Sequence, residues 1–181
     1  MRVVIQRAAG GRVCVYGEEI GSFSGPGLVV LVGVTHTDTR AQAHALANKV
    51  YDMRLFTRDH ARAAGFVLPA DASRELSAAD LGLPVLVISQ FTLYAETRKG
   101  RRPTWDLAAP REVAEPLVEE FITALRARGV RVETGRFGAD MQVTLVNDGP
   151  VTIVLDSDTQ ANQAGFGMAP TSTPHLPSTR S

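Results

Sequence analysis

The sequence predicts an α+β fold with a mainly antiparallel β-sheet, a barrel-like core and two principal helices. Strand-like apolar runs dominate both ends of the chain, only two segments have helical spacing, and strands and helices do not alternate regularly. The 181 residues, 44% of them hydrophobic, suffice for one domain with a sizeable core. Because 19 basic and 19 acidic residues cancel, a polyanionic partner would have to meet a local patch of charge.

The opening of the chain is rich in predicted strands. Residues 2–7 and 12–16 run or alternate apolar, and glycines at 17–21 and 25–27 indicate turns. Residues 28–34 are apolar at successive positions, a pattern typical of a strand buried on both faces. We therefore predict that residues 28–34 form a central strand of the sheet.

Two segments have the spacing of amphipathic helices. The first can be capped by Asp38 or Thr39, and the second spans 111–128. Pro116 removes a helical hydrogen bond, so the regular part of the second helix is expected to begin near Glu115. The apolar stripe of the first helix is Ala43, Leu46, Ala47, Val50 and Met53, and that of the second is Val113, Leu117, Phe121 and Leu125.

The rest of the chain is predicted as short strands and loops. The segment 57–83 lacks periodicity and is expected to be mainly loop, and 96–110 is a basic loop that contains proline. Further strands are predicted at 53–56, 84–95, 130–134, 140–147 and 150–156. The last two are joined closely enough to predict an antiparallel hairpin.

Residues 1–156 are expected to form the single domain, and 157–181, rich in Ser, Thr, Gly and Pro, to be a disordered tail. The first residues lack the apolar stretch of a secretory signal, and no apolar run reaches the roughly 18 residues of a spanning helix. Cys14 is the single cysteine, so no internal disulfide can form. These features predict a cytoplasmic protein without membrane contact.

Two segments combine a strand with polar or backbone groups that could face a small ligand. Ser-Gln-Phe-Thr-Leu at 89–93 ends an apolar run, and Asn-Asp-Gly-Pro-Val-Thr at 147–152 lies between two strand-like runs. A Gly-Pro pair can fix the direction of backbone carbonyls. Together the two segments indicate a site.

Several common chemistries lack a sequence pattern in this chain. There is no Gly-x-Ser-x-Gly elbow, the four histidines lie outside a recognisable triad context, and no His or Cys spacing suits a metal. We therefore expect no metal and no cofactor. Backbone N–H groups around 90–92 could instead hold a developing oxyanion on an activated ester.

The two motifs together resemble the paired motifs of bacterial and eukaryotic D-aminoacyl-tRNA deacylases, also called D-tyrosyl-tRNA deacylases. Segments 97–103 and 135–141 resemble family segments in the same order, and the similarity spans residues 1–156. The resemblance implies a hydrolase that cleaves the ester bond of D-aminoacyl-tRNA and mischarged glycyl-tRNA. Such an enzyme releases free tRNA and the D-amino acid, as chiral proofreading in translation quality control.

The resemblance also implies roles for individual residues. The catalytic residues are expected to be Ser89, Gln90, Phe91 and Thr92. Thr92 would be a nucleophile or a polar orienter, and the terminal ribose 2′-hydroxyl of the substrate would take part in catalysis, which is the role we favour. The expected substrate-binding residues are Phe137, Met141, Gly149 and Pro150, with packing in the core as the alternative for Phe137 and Met141.

A homodimer is the implied assembly. The Gly149–Pro150 loop, with a cis peptide bond, would reach into the pocket of the partner subunit and reject L-residues with rigid backbone carbonyls. Four cations of the basic loop are expected to bind phosphates at the 3′ acceptor end of the tRNA, with a log–log salt slope near −3 at ~0.7 per contact. They are Arg98, Lys99, Arg101 and Arg102.

Two departures and two alternatives accompany this interpretation. Residues 58–83 do not match the shorter connection expected in the family, and 157–181 extend past its usual end. One alternative is a related deacylase that tolerates small L-residues, with Gly149–Pro150 trans. The other is an RNA- or DNA-binding module that uses the 98–102 patch and cleaves nothing.

Overall fold

The computed structural model describes residues 1–71, 75–98 and 100–157, and the element counts below refer to these residues. Seven strands are present: β1 (Arg2–Val15), β2 (Glu18–Gly33), β3 (Arg54–Phe56), β4 (Leu76–Ser77), β5 (Val85–Ser89), β6 (Val132–Thr134) and β7 (Met141–Asp156). The α-helices are α1 (Arg40–Asp52), α2 (Arg58–Ala63) and α3 (Arg111–Arg126), and Phe91–Tyr94 form a 3-10 helix.

Five of these strands form one mixed sheet in the order β6-β5-β2-β1-β7, and β3 pairs with β4 separately. β1 is antiparallel to both β2 and β7, whereas β5 is parallel to β2 and β6. The predicted central strand is confirmed, since Leu28, Val29 and Val30 are fully buried in the middle of the order. The α+β class with two long helices is likewise confirmed.

Helix α1 follows the predicted pattern. Thr39 is its N-cap and accepts a hydrogen bond from the Gln42 backbone N–H, while the Gln42 side chain accepts from Thr39 in a capping box. The buried face is Ala43, Leu46, Ala47, Val50 and Tyr51. These residues pack α1 into the main core, so local cap and apolar stripe together determine this element.

Helix α3 differs from the prediction at its start. It begins at Arg111 rather than near Glu115 and contains Pro116 on its exposed surface. Its buried residues are Ala114, Val118, Phe121, Ile122, Ala124 and Leu125. Burial of Phe121 and Leu125 is as predicted, whereas Val113 and Leu117 are replaced in the buried face by Ala114 and Val118. Packing of this face against the core outweighs the hydrogen bond that the proline lacks.

The predicted breaks within the long strands are also wrong. Residues 2–16 do not hold two strands, because β1 is continuous from Arg2 to Val15. The expected turn at 25–27 is an irregularity inside β2. The expected hairpin of 140–147 and 150–156 is instead the single strand β7, which pairs with β1 on both sides of the Gly-Pro segment. A long neighbouring strand thus overrides local turn signals.

Two other segments hold more structure than expected. The segment 57–83 contains helix α2 and strand β4. The segment 84–95 stops being a strand at Ser89 and continues as the 3-10 helix.

The described part of the chain ends at Ser157, which is buried and forms part of the fold. Its hydroxyl accepts a hydrogen bond from the Met1 ammonium at 2.6 Å, and Asp38 also pairs with that ammonium. The predicted disordered tail beyond Ser157 lies outside the described residues. Of the helices that the structure describes, none combines the length and apolar character needed to cross a membrane.

Candidate active site

A cavity of about 490 Å³ lies beyond the carboxyl end of β5. It is bounded by the end of β5, the 3-10 helix, the start of α3 and the segment leading into β7. Its lining is Val32, Val34, Ile88, Ser89, Gln90, Phe91, Trp105, Ala108, Ala109, Arg111, Ala114, Val118, Phe137, Gly138, Ala139, Asp140, Met141 and Val143. Five of the eight predicted catalytic and substrate-binding residues therefore face one space.

The first motif turns sharply at the cavity wall. The Gln90 backbone N–H donates to the Val32 carbonyl at 2.7 Å, which extends the pairing with β2 by one residue before the 3-10 helix begins. The Gln90 side-chain amide then donates to the Thr92 hydroxyl. Ser89, Gln90 and Phe91 line the cavity, but Thr92 does not. Thr92 is thus placed to orient Gln90 from behind the wall.

The backbone N–H groups of the motif differ in their availability. That of Gln90 already donates to Val32, whereas the Phe91 and Thr92 N–H groups make no backbone hydrogen bond among the described residues. The first N–H groups of a helix lack intrahelical partners. Of the amides predicted to hold an oxyanion, that of Phe91 is the one that is unpaired and belongs to a residue of the cavity lining.

Phe137 and Met141 form the opposite side of the cavity. A Cβ at Gly135 would lie 2.4 Å from the Met141 sulfur, so glycine is needed at 135 for Met141 to hold this position. The Phe137 ring faces the Arg111 guanidinium at 5.6 Å from the ring centroid. Both predicted residues are thereby fixed in the cavity wall.

Three wall residues with functional side chains were absent from the sequence prediction. Trp105 packs edge-on against Phe91 with ring centroids 5.2 Å apart, and both rings are about half exposed at the cavity. Arg111 and Asp140 add the charges. The single tryptophan, within the basic loop, was the available signal, whereas Arg111 reaches the wall only through the placement of α3.

The Gly149–Pro150 segment lies elsewhere in the same subunit. Ala8 pairs with Asn147 and Gln6 with Thr152, so the segment 148–151 stands opposite the single residue Arg7 and bulges out of the sheet. Asn147 closes the bulge, since its side chain donates to Thr152 and accepts from the Val151 N–H. Neither Gly149 nor Pro150 lines the cavity described above.

The expected cis peptide bond is not found. All peptide bonds among the described residues are trans, including Gly149–Pro150 in this single chain. Gly149 has φ +113°, a conformation suited to glycine, and a Cβ there would lie 2.4 Å from Arg7 Nη2. Arg7 Nε donates to the Asp148 carbonyl at 3.1 Å, so the bulge is held against β1.

The basic loop is exposed, and one of its cations already has a partner. Backbone hydrogen bonds between Glu96 and Thr104 close the loop at its base. Arg98 donates to both Glu96 carboxylate oxygens, which lowers the pKa of Glu96 to about 2. Arg101 and Arg102 are exposed, and Lys99 lies outside the described residues.

Metal-binding side chains do not gather in the described ranges. Within 1–71, 75–98 and 100–157, no group of three or more His, Cys, Asp or Glu side chains is close enough to hold an ion.

Comparisons with solved structures agree with this fold. A structure described as c-Myc DNA Unwinding Element Binding Protein superposes with a TM-score of 0.72 at 34% identity, covering 86% of this chain and 98% of its own. A second, described as a probable eukaryotic D-amino acid tRNA deacylase, has a TM-score of 0.70 at 18% identity, which bears on the fold alone. It covers 85% of this chain and 97% of its own.

Sequence comparisons define the family. The profile of the family described as D-Tyr-tRNA(Tyr) deacylase matches residues 4–156. A D-aminoacyl-tRNA deacylase of Acidothermus cellulolyticus is 56% identical over 158 residues, 87% of this chain and 100% of the relative. That of Streptomyces coelicolor is 51% identical over 156 residues, 86% and 99% of the two chains. The chain belongs to the D-Tyr-tRNA(Tyr) deacylase family.

Proposed function

We propose that this protein hydrolyses the ester bond of D-aminoacyl-tRNA and releases free tRNA and the D-amino acid. The observation that carries the proposal is the family match over residues 4–156, together with a cavity lined by the first motif and by Phe137 and Met141. Glycyl-tRNA is a second substrate, because glycine has no side chain that could clash with a wall that excludes L side chains. The protein acts in the cytoplasm, where aminoacyl-tRNA is used.

Hydrolysis requires that the ester carbonyl be held in a fixed orientation and that the negative charge developing on its oxygen be stabilised. Water attacks the ester carbonyl carbon, and the backbone N–H group of Phe91, a residue of the cavity lining, stabilises the resulting oxyanion. The substrate 2′-hydroxyl moves the proton to the departing 3′ oxygen. Ser89 and Gln90 position the aminoacyl group, and Thr92 acts by fixing the Gln90 amide through its hydroxyl. Trp105 and Phe91 supply aromatic faces beside the cavity.

The selective wall comes from a second copy of the chain. Gly149 and Pro150 bulge from β7, which is the last strand in the sheet order and exposes Val146 and Val154 at 65% and 60%. An edge strand with exposed apolar side chains suits association with an identical subunit. In the homodimer the Gly149–Pro150 loop of one subunit enters the cavity of the other, and its carbonyls exclude L side chains.

The proposal is tested with purified protein and matched D-, L- and glycyl-tRNAs. We expect cleavage of the D and glycyl esters, with kcat/KM for a D ester at least about a hundredfold above that of its L counterpart. Cleavage of L-alanyl-tRNA at a comparable rate would indicate the tolerant relative, the alternative for which a trans Gly149–Pro150 bond was expected. Binding without cleavage of any ester would indicate a nucleic-acid-binding module. This outcome is tested because the 34% identical solved structure is described as a DNA-binding protein.

Phosphate binding by the basic loop leads to a measurable salt dependence. Arg98 is paired with Glu96, so phosphate contacts from the other three predicted cations give a log–log slope near −2 instead of −3, at ~0.7 per contact. The depressed pKa of Glu96 means that its ion pair is complete above pH 4.5 and is lost only as the pH falls towards about 2. The pair therefore persists at neutral pH.

Glu96→Gln should release Arg98 and move the slope towards −3, because the fourth cation becomes free for a phosphate, at ~0.7 per contact. The measurement is the tRNA dissociation constant against salt concentration at pH 7. Glu133→Gln is the matched control, since Glu133 binds Arg131 at 2.8 Å in a similarly exposed pair outside the basic loop. A slope near zero in the unchanged protein would make the loop a bystander.

A further inference from the structure

A hydrogen bond from His60 joins helix α2 to the Gly149–Pro150 bulge. The His60 Nε2 lies 2.7 Å from Asp148 Oδ2, across 88 positions of the chain. The His60 side chain is only 15% exposed, and its ring packs edge-on against Phe56 at 5.6 Å. Packing against Phe56 therefore fixes the His60 ring in place. His60 lies in the segment 58–83, where the sequence departs from the family pattern.

The hydrogen bonds of His60 define which nitrogen carries the proton. The Thr57 backbone N–H donates to Nδ1 at 3.0 Å, so Nδ1 is an acceptor. The proton of the neutral ring is then on Nε2, which donates to the Asp148 carboxylate. His60 thus caps the first turn of α2 with one nitrogen, as Glu or Gln does in a capping box, and holds the bulge with the other.

Asp148 immediately precedes Gly149 and is held by two residues. Its carboxylate accepts from His60 and lies 3.7 Å from Arg7 Nε, and its carbonyl accepts a hydrogen bond from Arg7 Nε. Arg7 also donates to the Leu55 carbonyl, so β1, β3 and α2 converge on one residue of the bulge. Loss of the His60 bond would leave the start of the bulge attached through Arg7 alone.

We propose that His60 is a positioning residue for chiral selection, which fixes the direction of the Gly149 carbonyl by holding Asp148. This inference rests on the proposed role of the Gly149–Pro150 loop. His60 touches neither substrate nor reacting atoms, and it acts through the bulge. A loop that moves by a few tenths of an ångström admits L side chains, because exclusion by a rigid wall depends on its exact distance from the α-carbon.

Two substitutions separate the two bonds of His60. His60→Asn places an acceptor where Nδ1 lies and keeps the cap on Thr57, but its side chain is too short to reach Asp148. His60→Gln extends further and returns an N–H donor to Asp148. We expect His60→Asn to lower the D-to-L ratio of kcat/KM about tenfold, and the ratio of His60→Gln to lie within about twofold of that of the unchanged protein. These values correspond to the loss and the recovery of one hydrogen bond to a charged group.

The assay uses the full chain, matched D- and L-tyrosyl-tRNA, and thermal melting of each variant. Gln42→Ala is the matched control, because Gln42 fills the same capping position in α1 and has no contact with the bulge. It should lower the melting temperature and leave the D-to-L ratio unchanged. Asp148→Ala should lower the ratio at least as far as His60→Asn does, because it also removes the ion pair with Arg7, and His60→Asn should add nothing in the Asp148→Ala background.

Pro150→Ala distinguishes failure of this inference from failure of the proposed function. If Pro150→Ala lowers the ratio while His60→Asn does not, the loop selects the substrate and His60 has no part in it. If neither changes the ratio, the selective role of the loop is overturned along with that of His60. Equal losses in the Asn and Gln variants would reduce His60 to a structural residue and overturn the inference.

Discussion

D-aminoacyl-tRNA that ends in 2′-deoxyadenosine, charged on the 3′ oxygen, should be hydrolysed roughly 10²- to 10⁴-fold more slowly than the ribose form, as for the loss of a general acid–base group. Thr92→Ala should cost only about fivefold, the value of one neutral hydrogen bond. The reason is geometric: Thr92 lies outside the cavity lining and its hydroxyl is engaged by Gln90, so it is poorly placed to attack.

The measurement is single-turnover ester cleavage, with binding of the deoxy substrate determined separately. Thr92→Ser, which keeps the hydroxyl, serves as the matched variant and should behave like the unchanged protein. The opposite pattern, normal cleavage of the deoxy substrate with near-complete loss in Thr92→Ala, would make Thr92 the nucleophile. The protein would then need a base for that hydroxyl.

Gly149→Ala is expected to reduce the D-to-L ratio of kcat/KM by roughly 10- to 200-fold, the range for changing contacts in a specificity pocket. A Cβ at 149 would lie 2.4 Å from Arg7 Nη2, so either the bulge or the Arg7 side chain must move. The positive φ of 113° adds strain for any L-residue. The wall carbonyl would move with the bulge, and cleavage of the L ester would rise.

Gly17→Ala separates strain from displacement of the bulge. Gly17 also has a positive φ, +84°, but a Cβ there meets no atom within 4 Å. It should lower the free energy of unfolding by about 1–2 kcal/mol and leave the D-to-L ratio intact. An unchanged ratio in folded Gly149→Ala would show that the bulge does not select the hand of the amino acid.

Elements with a local cause were predictable from the sequence. Thr39, Gln42 and the apolar spacing of α1 predict that helix and its buried face, because cap and periodicity act over neighbouring residues. The same holds for the central part of β2. The cavity residues Ser89 to Phe91, Phe137 and Met141 were predicted because the motif at 89–93 and the segment 135–141 both resemble the family, whatever their distance in space.

Elements decided by distant partners were not predictable. Gly149 and Pro150 carry a turn signal, yet β7 continues past them because β1 offers pairing on both sides of the bulge. His60 and Asp148 meet across 88 positions, and no periodicity joins them. Arg111 enters the cavity wall only because the core orients α3. Each of these outcomes depends on packing that no short window of sequence contains.

Gly149 and Pro150 lie outside the cavity of their own chain, so two differently inactivated variants should complement each other if the loop works in its partner. Each pocket of the homodimer is then built from both chains, one supplying the catalytic residues of the cavity and the other supplying the loop that selects the D-amino acid. A chain with a blocked cavity and a chain with a disabled bulge would complement each other when mixed, and the hybrid would possess one intact centre out of two.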